Sequence, residues 1–116
     1  MNRIFVFELA GKNAISMQNG DKLYKLIHPH LLAGDSIAID FNGVSLFASP
    51  FFNASIALLL KDIPLEKLQK QISFENLNDV GRDLLNHAIG NAISFYNNSE
   101  TVSKAIDQSR PGKIDE

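Results

Sequence analysis

Asp35-Ser36-Ile37-Ala38-Ile39-Asp40-Phe41-Asn42-Gly43-Val44-Ser45-Leu46-Phe47-Ala48-Ser49-Pro50-Phe51-Phe52-Asn53-Ala54-Ser55-Ile56 is the stretch that decides the fold. Ser36 to Phe41 reads as a strand, apolar enough to be central in a sheet. Asn42-Gly43 is a turn signal. A short apolar run follows, and Ser49-Pro50 opens a helix. Serine is a favoured N-cap, and proline at the first helical position has its φ pre-set and wastes no donor. From Pro50 to about Lys61, Phe52, Ile56, Leu59 and Ile63 fall on one stripe, with Leu58, Leu60 and alanines beside it. That pattern predicts a well-buried helix.

Working outward, Ile4 to Ala10 is rich in β-branched and aromatic residues and ends at Gly11, which predicts a strand. Gly11 to Asn19 reads as a loop, with Ile15 and Met17 adding a short edge strand. From Gly20, Leu23, Leu26, Ile27 and Leu31 recur at helical spacing. Pro29 interrupts that pattern, so a kink or an end near His28 is expected. Gly34 is a candidate C-terminal cap. Downstream, Asp62-Ile63-Pro64 ends the central helix, and Leu65 to Gln71 forms a short helix with Leu65 and Leu68 inward. Ile72 to Leu77 alternates as a strand, and Asp79 is placed to cap a last helix over Val80 to Tyr96. The expectation is one α/β domain over residues 1–97, a small central mixed sheet of about four strands with helices packed against it. Residues 98–116 turn polar and read as a flexible tail.

The chain has 116 residues, enough for one domain with a core of its own and too few for two. Net charge is −2 and the Lys and Arg residues are scattered, which argues against a nucleic-acid surface. With no cysteine, disulfides, thiol catalysis and Cys-based zinc sites are excluded. The apolar run near Met1 is too short for a secretory segment, and Ile56 to Leu60 is too short to cross a bilayer. A cytoplasmic protein without membrane attachment is the expectation.

Few residues carry chemistry. Ser49 has two readings, a helix cap or a phosphoacceptor, because the same free backbone donors would welcome a phosphate. Asp40 follows the apolar run of its strand and could lie at the carboxyl end, where crevices form in open α/β sheets. With Asn42 and Gly43 it marks a candidate ligand crevice, although capping the Asn42-Gly43 turn is the simpler role. His28, His30 and His87 match no common zinc spacing, so no metal site is assigned. Ser49, His87 and Asp40 do not form a hydrolase triad: there is no Gly-x-Ser-x-Gly elbow, and Pro50 lacks the oxyanion donor. No Gly-rich phosphate loop is present. No catalytic residue and no cofactor is assigned. Phe47, Phe51 and Phe52 crowd around Ser49 and could supply an apolar docking surface, with Phe52 the best suited to the core.

Ile39-Asp40-Phe41-x-Gly43-Val44 followed by Ser49-Pro50-Phe51 and a small-residue helix resembles the STAS-like domain family of bacteria. Gly20-x-x-Leu23, Leu32-x-Gly34-Asp35 and Ile72-Ser73-Phe74-Glu75-Asn76-Leu77 fit the same pattern, and the similarity covers roughly residues 3 to 97. The resemblance implies an α/β domain without enzymatic activity, related to anti-sigma factor antagonists. Those proteins are switched by a serine kinase of the histidine-kinase-like ATPase superfamily. Ser49 falls on their phosphorylated serine, and their Asp-Ser-Ser-Gly reads Ala48-Ser49-Pro50-Phe51 here. What the resemblance implies is therefore a regulatory module that docks such an ATPase through the surface of Phe47, Ser49, Phe51 and Asn53. The alternative is a small-molecule or nucleotide sensor using the crevice beside Asp40 and Gly43.

Overall fold

A computed structural model describes residues 2–108, with side chains as far as Tyr96. Three parallel strands form the main sheet in the order β1 (Asn2–Phe5), β3 (Ile37–Asp40), β5 (Ile72–Glu75), so the apolar run at the heart of the chain is the central strand. Phe5, Asp40 and Glu75 lie in register and close the three strands at one edge. A second, two-stranded parallel pair joins β2 (Asn13–Ala14) to β4 (Leu46–Phe47). The expected α/β architecture is present, with its strands divided three and two and every described pairing parallel.

Period-two alternation explains the two faces. Ile37, Ile39 and Ile72 point into the core with the half-buried Ile4 and Phe74, whereas Arg3, Phe5 and Ser73 on the other face are exposed. Helix α2 (Met17–Leu32) packs on the core face through Leu23, Ile27 and Leu31. It starts earlier than its apolar spacing suggests. Ser16 caps it by accepting the Asn19 N–H at 3.1 Å, so Met17 opens a helix and not an edge strand. It also runs through Pro29 without ending. That proline and Lys25, whose carbonyl loses its donor, are both exposed, so water can satisfy the carbonyl. The helix ends in a Schellman arrangement: the Asp35 N–H reaches the His30 carbonyl, the Gly34 N–H reaches that of Leu31, and Gly34 has φ +91. Gln71 adds bonds to the Leu31 and Asp35 carbonyls at 3.0 Å each.

Two expected elements are broken up. The predicted strand Ile4–Ala10 stops at Phe5, and Val6–Ala10 is a short helix, α1. The partner strand β3 gives way to a turn after Asp40, so the chain has no ladder to continue and curls to bury Val6 completely. The predicted helix Pro50–Lys61 divides into α3 (Ser49–Ala54) and α4 (Ile56–Leu59). At the break, Ser55 is fully buried with φ −116 and ψ −85, and its hydroxyl donates to the Phe51 carbonyl at 2.7 Å. Serine competing for a backbone carbonyl is a known way to interrupt a helix.

Helix α5 (Leu65–Gln71) occupies its predicted range. Helix α6 (Asp79–Gln108) is capped by Asn78, one residue before the expected Asp79: its Oδ1 accepts the Gly81 N–H at 2.8 Å. The helix continues past Tyr96, through the first part of the segment expected as tail, and residues 109–116 lie outside the described residues. No described helix is long and apolar enough to cross a membrane.

Candidate functional site

Two places were singled out in the sequence, and the structure treats them differently. Asp40 lies at the carboxyl edge of β3, almost fully buried. Its Oδ1 accepts the Asn42 N–H at 2.9 Å and the Asn76 side-chain amide at 2.8 Å. Its Oδ2 accepts from Arg3 at 2.9 Å, and the same guanidinium nitrogen also bonds Glu75. The bonds from Asn76 and from the Asn42 backbone, with Arg3 beside them, hold the Asp40 carboxyl below the usual carboxylate range. Asn76 reaches it from a left-handed backbone, φ 57, that asparagine tolerates better than most residues. Asp40 therefore caps the Asn42-Gly43 turn, as its spacing suggests, and also ties the ends of all three strands together. Both carboxylate oxygens are engaged within the chain. At Gly43, φ +89, an added Cβ would sit 3.0 Å from the Phe7 ring, so that aromatic closes over the turn. The proposed crevice at Asp40, Asn42 and Gly43 is largely filled by the protein's own groups.

The surface around Ser49 is open. Ser49 itself is exposed, but it is the first helical residue of α3, and Ala48 occupies the cap position with no side-chain bond. The expected capping role of Ser49 is therefore corrected: its hydroxyl is one residue too far along the chain to take it. Phe51, expected on the docking surface, is fully buried together with Phe52. Helix α3 is wedged between α2 and α6, so two adjacent faces of it are covered and both rings turn inward. Phe47 is half-buried, 5.8 Å from the Phe41 ring and 5.9 Å from that of Phe52, and works mainly as packing.

What remains exposed is a groove of about 640 Å³ between α2 and α3. Met17, Gln18 and Asp21 form one wall, and Pro50, Asn53 and Ala54 of α3 the other, with Leu58 of α4 at its end. Met17 is 63% exposed, an unusual position for so large an apolar side chain. Asn53 also borders a second, smaller groove between α3–α4 and α6, where Phe95 is 66% exposed. Asn53 thus stands between two apolar depressions, beside the Ser49 helix start. Met17 and Leu58 were not legible as surface residues. Ser16 was the available signal, a good N-cap whose recognition would have put Met17 on the first turn of α2.

Two of the three histidines are engaged elsewhere, and His87 is exposed on α6. His28 bonds Asp62 at 2.9 Å and stacks on Tyr24 at 4.8 Å, while His30 bonds Asp35 at 3.1 Å. His28 thereby pins α2 to the turn after α4.

A central strand, a tight turn and a serine-initiated helix beside it define a STAS-like α/β domain. The chain belongs to the family described as the STAS-like domain of unknown function (DUF4325), whose profile matches residues 19–82, more than half of the chain. The matched segment takes in most of α2, the Asp40 turn, the Ser49 surface and the start of α6. No curated protein and no solved structure gives a significant match.

Proposed function

We propose that this chain is a non-enzymatic regulatory module that docks a histidine-kinase-like ATPase or serine kinase through the groove between α2 and α3. The observation that carries this reading is the apolar groove of Met17, Pro50, Ala54 and Leu58 lying open beside the exposed Ser49. Apolar side chains presented to solvent in one groove, Met17 above all, are the kind of surface that a docked partner would cover. The resemblance to anti-sigma factor antagonists supplies the partner class, because their switch serine matches Ser49. The internal use of Asp40 by Arg3, Asn42 and Asn76 weighs against the alternative reading of a nucleotide crevice there.

A photo-crosslinking residue at Asn53 in the native host tests the proposal. A covalent product with an ATPase of that superfamily, missing when the crosslinker is moved to the remote position Glu66, is expected. Products that are equal at both positions, or none at Asn53, would overturn it.

A further inference from the structure

Away from that groove, α5, β5 and α6 enclose a cavity of about 280 Å³. Its floor and walls are apolar: Ile56, Leu68, Ile72 and Leu85 are all buried, and half-buried side chains, Phe74 and Ile89 among them, complete them. The exposed mouth carries three polar side chains, Gln69 from α5 with Arg82 and Asn86 from α6. Arg82 is the single charged residue of the lining. Among the described residues it has no carboxylate within 4 Å.

Arg82 also sits in the first turn of α6, where the helix dipole disfavours a cation. An unpaired guanidinium in that field, facing an apolar hollow, is suited to an anionic head group with a hydrocarbon body. Asn86 lies one turn further along the same helix face, so its amide can share the head group with Arg82. A planar carboxylate matches the guanidinium fork bidentately. A doubly charged phosphate fits less well, because Asp79 and Asp83 add negative charge to the same turn. Size fixes the rest. A dry apolar cavity of about 150 Å³ accommodates benzene, with its six heavy atoms, so this one takes about ten to twelve.

We propose that the cavity between α5, β5 and α6 binds a medium-chain carboxylate of about eight carbons, its tail among Leu68, Ile72 and Leu85 and its carboxylate on Arg82. The site is separate from the α2–α3 groove, so either can fail without the other.

Octanoate titrated into the full chain, followed by backbone amide NMR, tests the site. Saturable shifts confined to Leu68, Ile72, Leu85 and Ile89 and their neighbours are expected, with octylamine giving none and octyl phosphate binding more weakly. Arg82→Gln, at an exposed position, should weaken octanoate at least tenfold, and Ile89→Phe should block it by filling the hollow. The proposal is overturned if octanoate gives no saturable shift or shifts elsewhere. Equal binding of octylamine, tighter binding of octyl phosphate, or full affinity in Arg82→Gln would overturn it equally.

Discussion

Gly20 on α2 faces the carbonyl of Phe51 on α3 so closely that a Cβ at Gly20 would overlap that oxygen and lie 3.0 Å from the Ala54 Cβ. The missing side chain lets the two helix backbones touch, which seats α3 deeply enough to bury Phe51 and Phe52 while Ser49 stays outside.

Gly20→Ala should therefore destabilise the fold by about 2 kcal/mol, the ordinary range for overpacking, despite alanine's better helix propensity. Gly90→Ala is the control. Gly90 lies exposed in α6 with nothing within 4 Å of an added Cβ, so the change should stabilise by about 0.5–1 kcal/mol. Urea unfolding of both variants checks the pair. The two changes having the same sign would refute the close-packing argument.

Cap assignments make a second contrast. Ser49→Ala should leave stability within about 0.5 kcal/mol of the parent, since the hydroxyl is exposed and caps nothing. Asn78→Ala should cost about 1 kcal/mol through loss of its bond to the Gly81 N–H. A larger loss at Ser49 than at Asn78 would restore the capping role that the sequence suggests.

The Asp40 hub gives the domain an acid-sensitive element. The carboxyl pKa is lowered in the folded state by Asn76, the Asn42 N–H and Arg3, so the unfolded chain takes up a proton first as pH falls. Its stabilisation is in full force above the unfolded value of about 3.9 and is lost as pH drops through the lower folded value. Stability at neutral pH should fall in Asp40→Asn, and its decline between about pH 4 and pH 2 should be shallower than the parent's. Thermal melts across that range decide it, and parallel pH profiles would remove Asp40 from this role.

These relationships show which parts of the fold the sequence could disclose. Ile37–Asp40, Ile72–Glu75 and Leu65–Gln71 were readable because their signals are local: an apolar run, an alternation, and the inward pair Leu65 and Leu68 after the break at Asp62-Ile63-Pro64. The strand expected through Ala10 failed at Phe5 for a non-local reason, the turn in its partner after Asp40. Phe51 was expected outside because nothing near it in sequence reports that Gly20 admits its backbone. The turn-capping role of Asp40 was visible from Asn42-Gly43, whereas Arg3 and Asn76, each more than thirty residues away, were not. The groove between α2 and α3 stayed hidden because it depends on where α2 begins.

Copurification of the tagged chain from its native host is the most direct test of the docking proposal. Met17→Glu and Ser49→Asp place negative charge on the groove and beside it, at exposed positions that should leave folding intact. A histidine-kinase-like ATPase should be recovered with the parent chain and lost, at least tenfold, with Met17→Glu, with Ser49→Asp changing its yield. Recovery of no such ATPase, or an equal yield with all three proteins, would contradict docking at the α2–α3 groove.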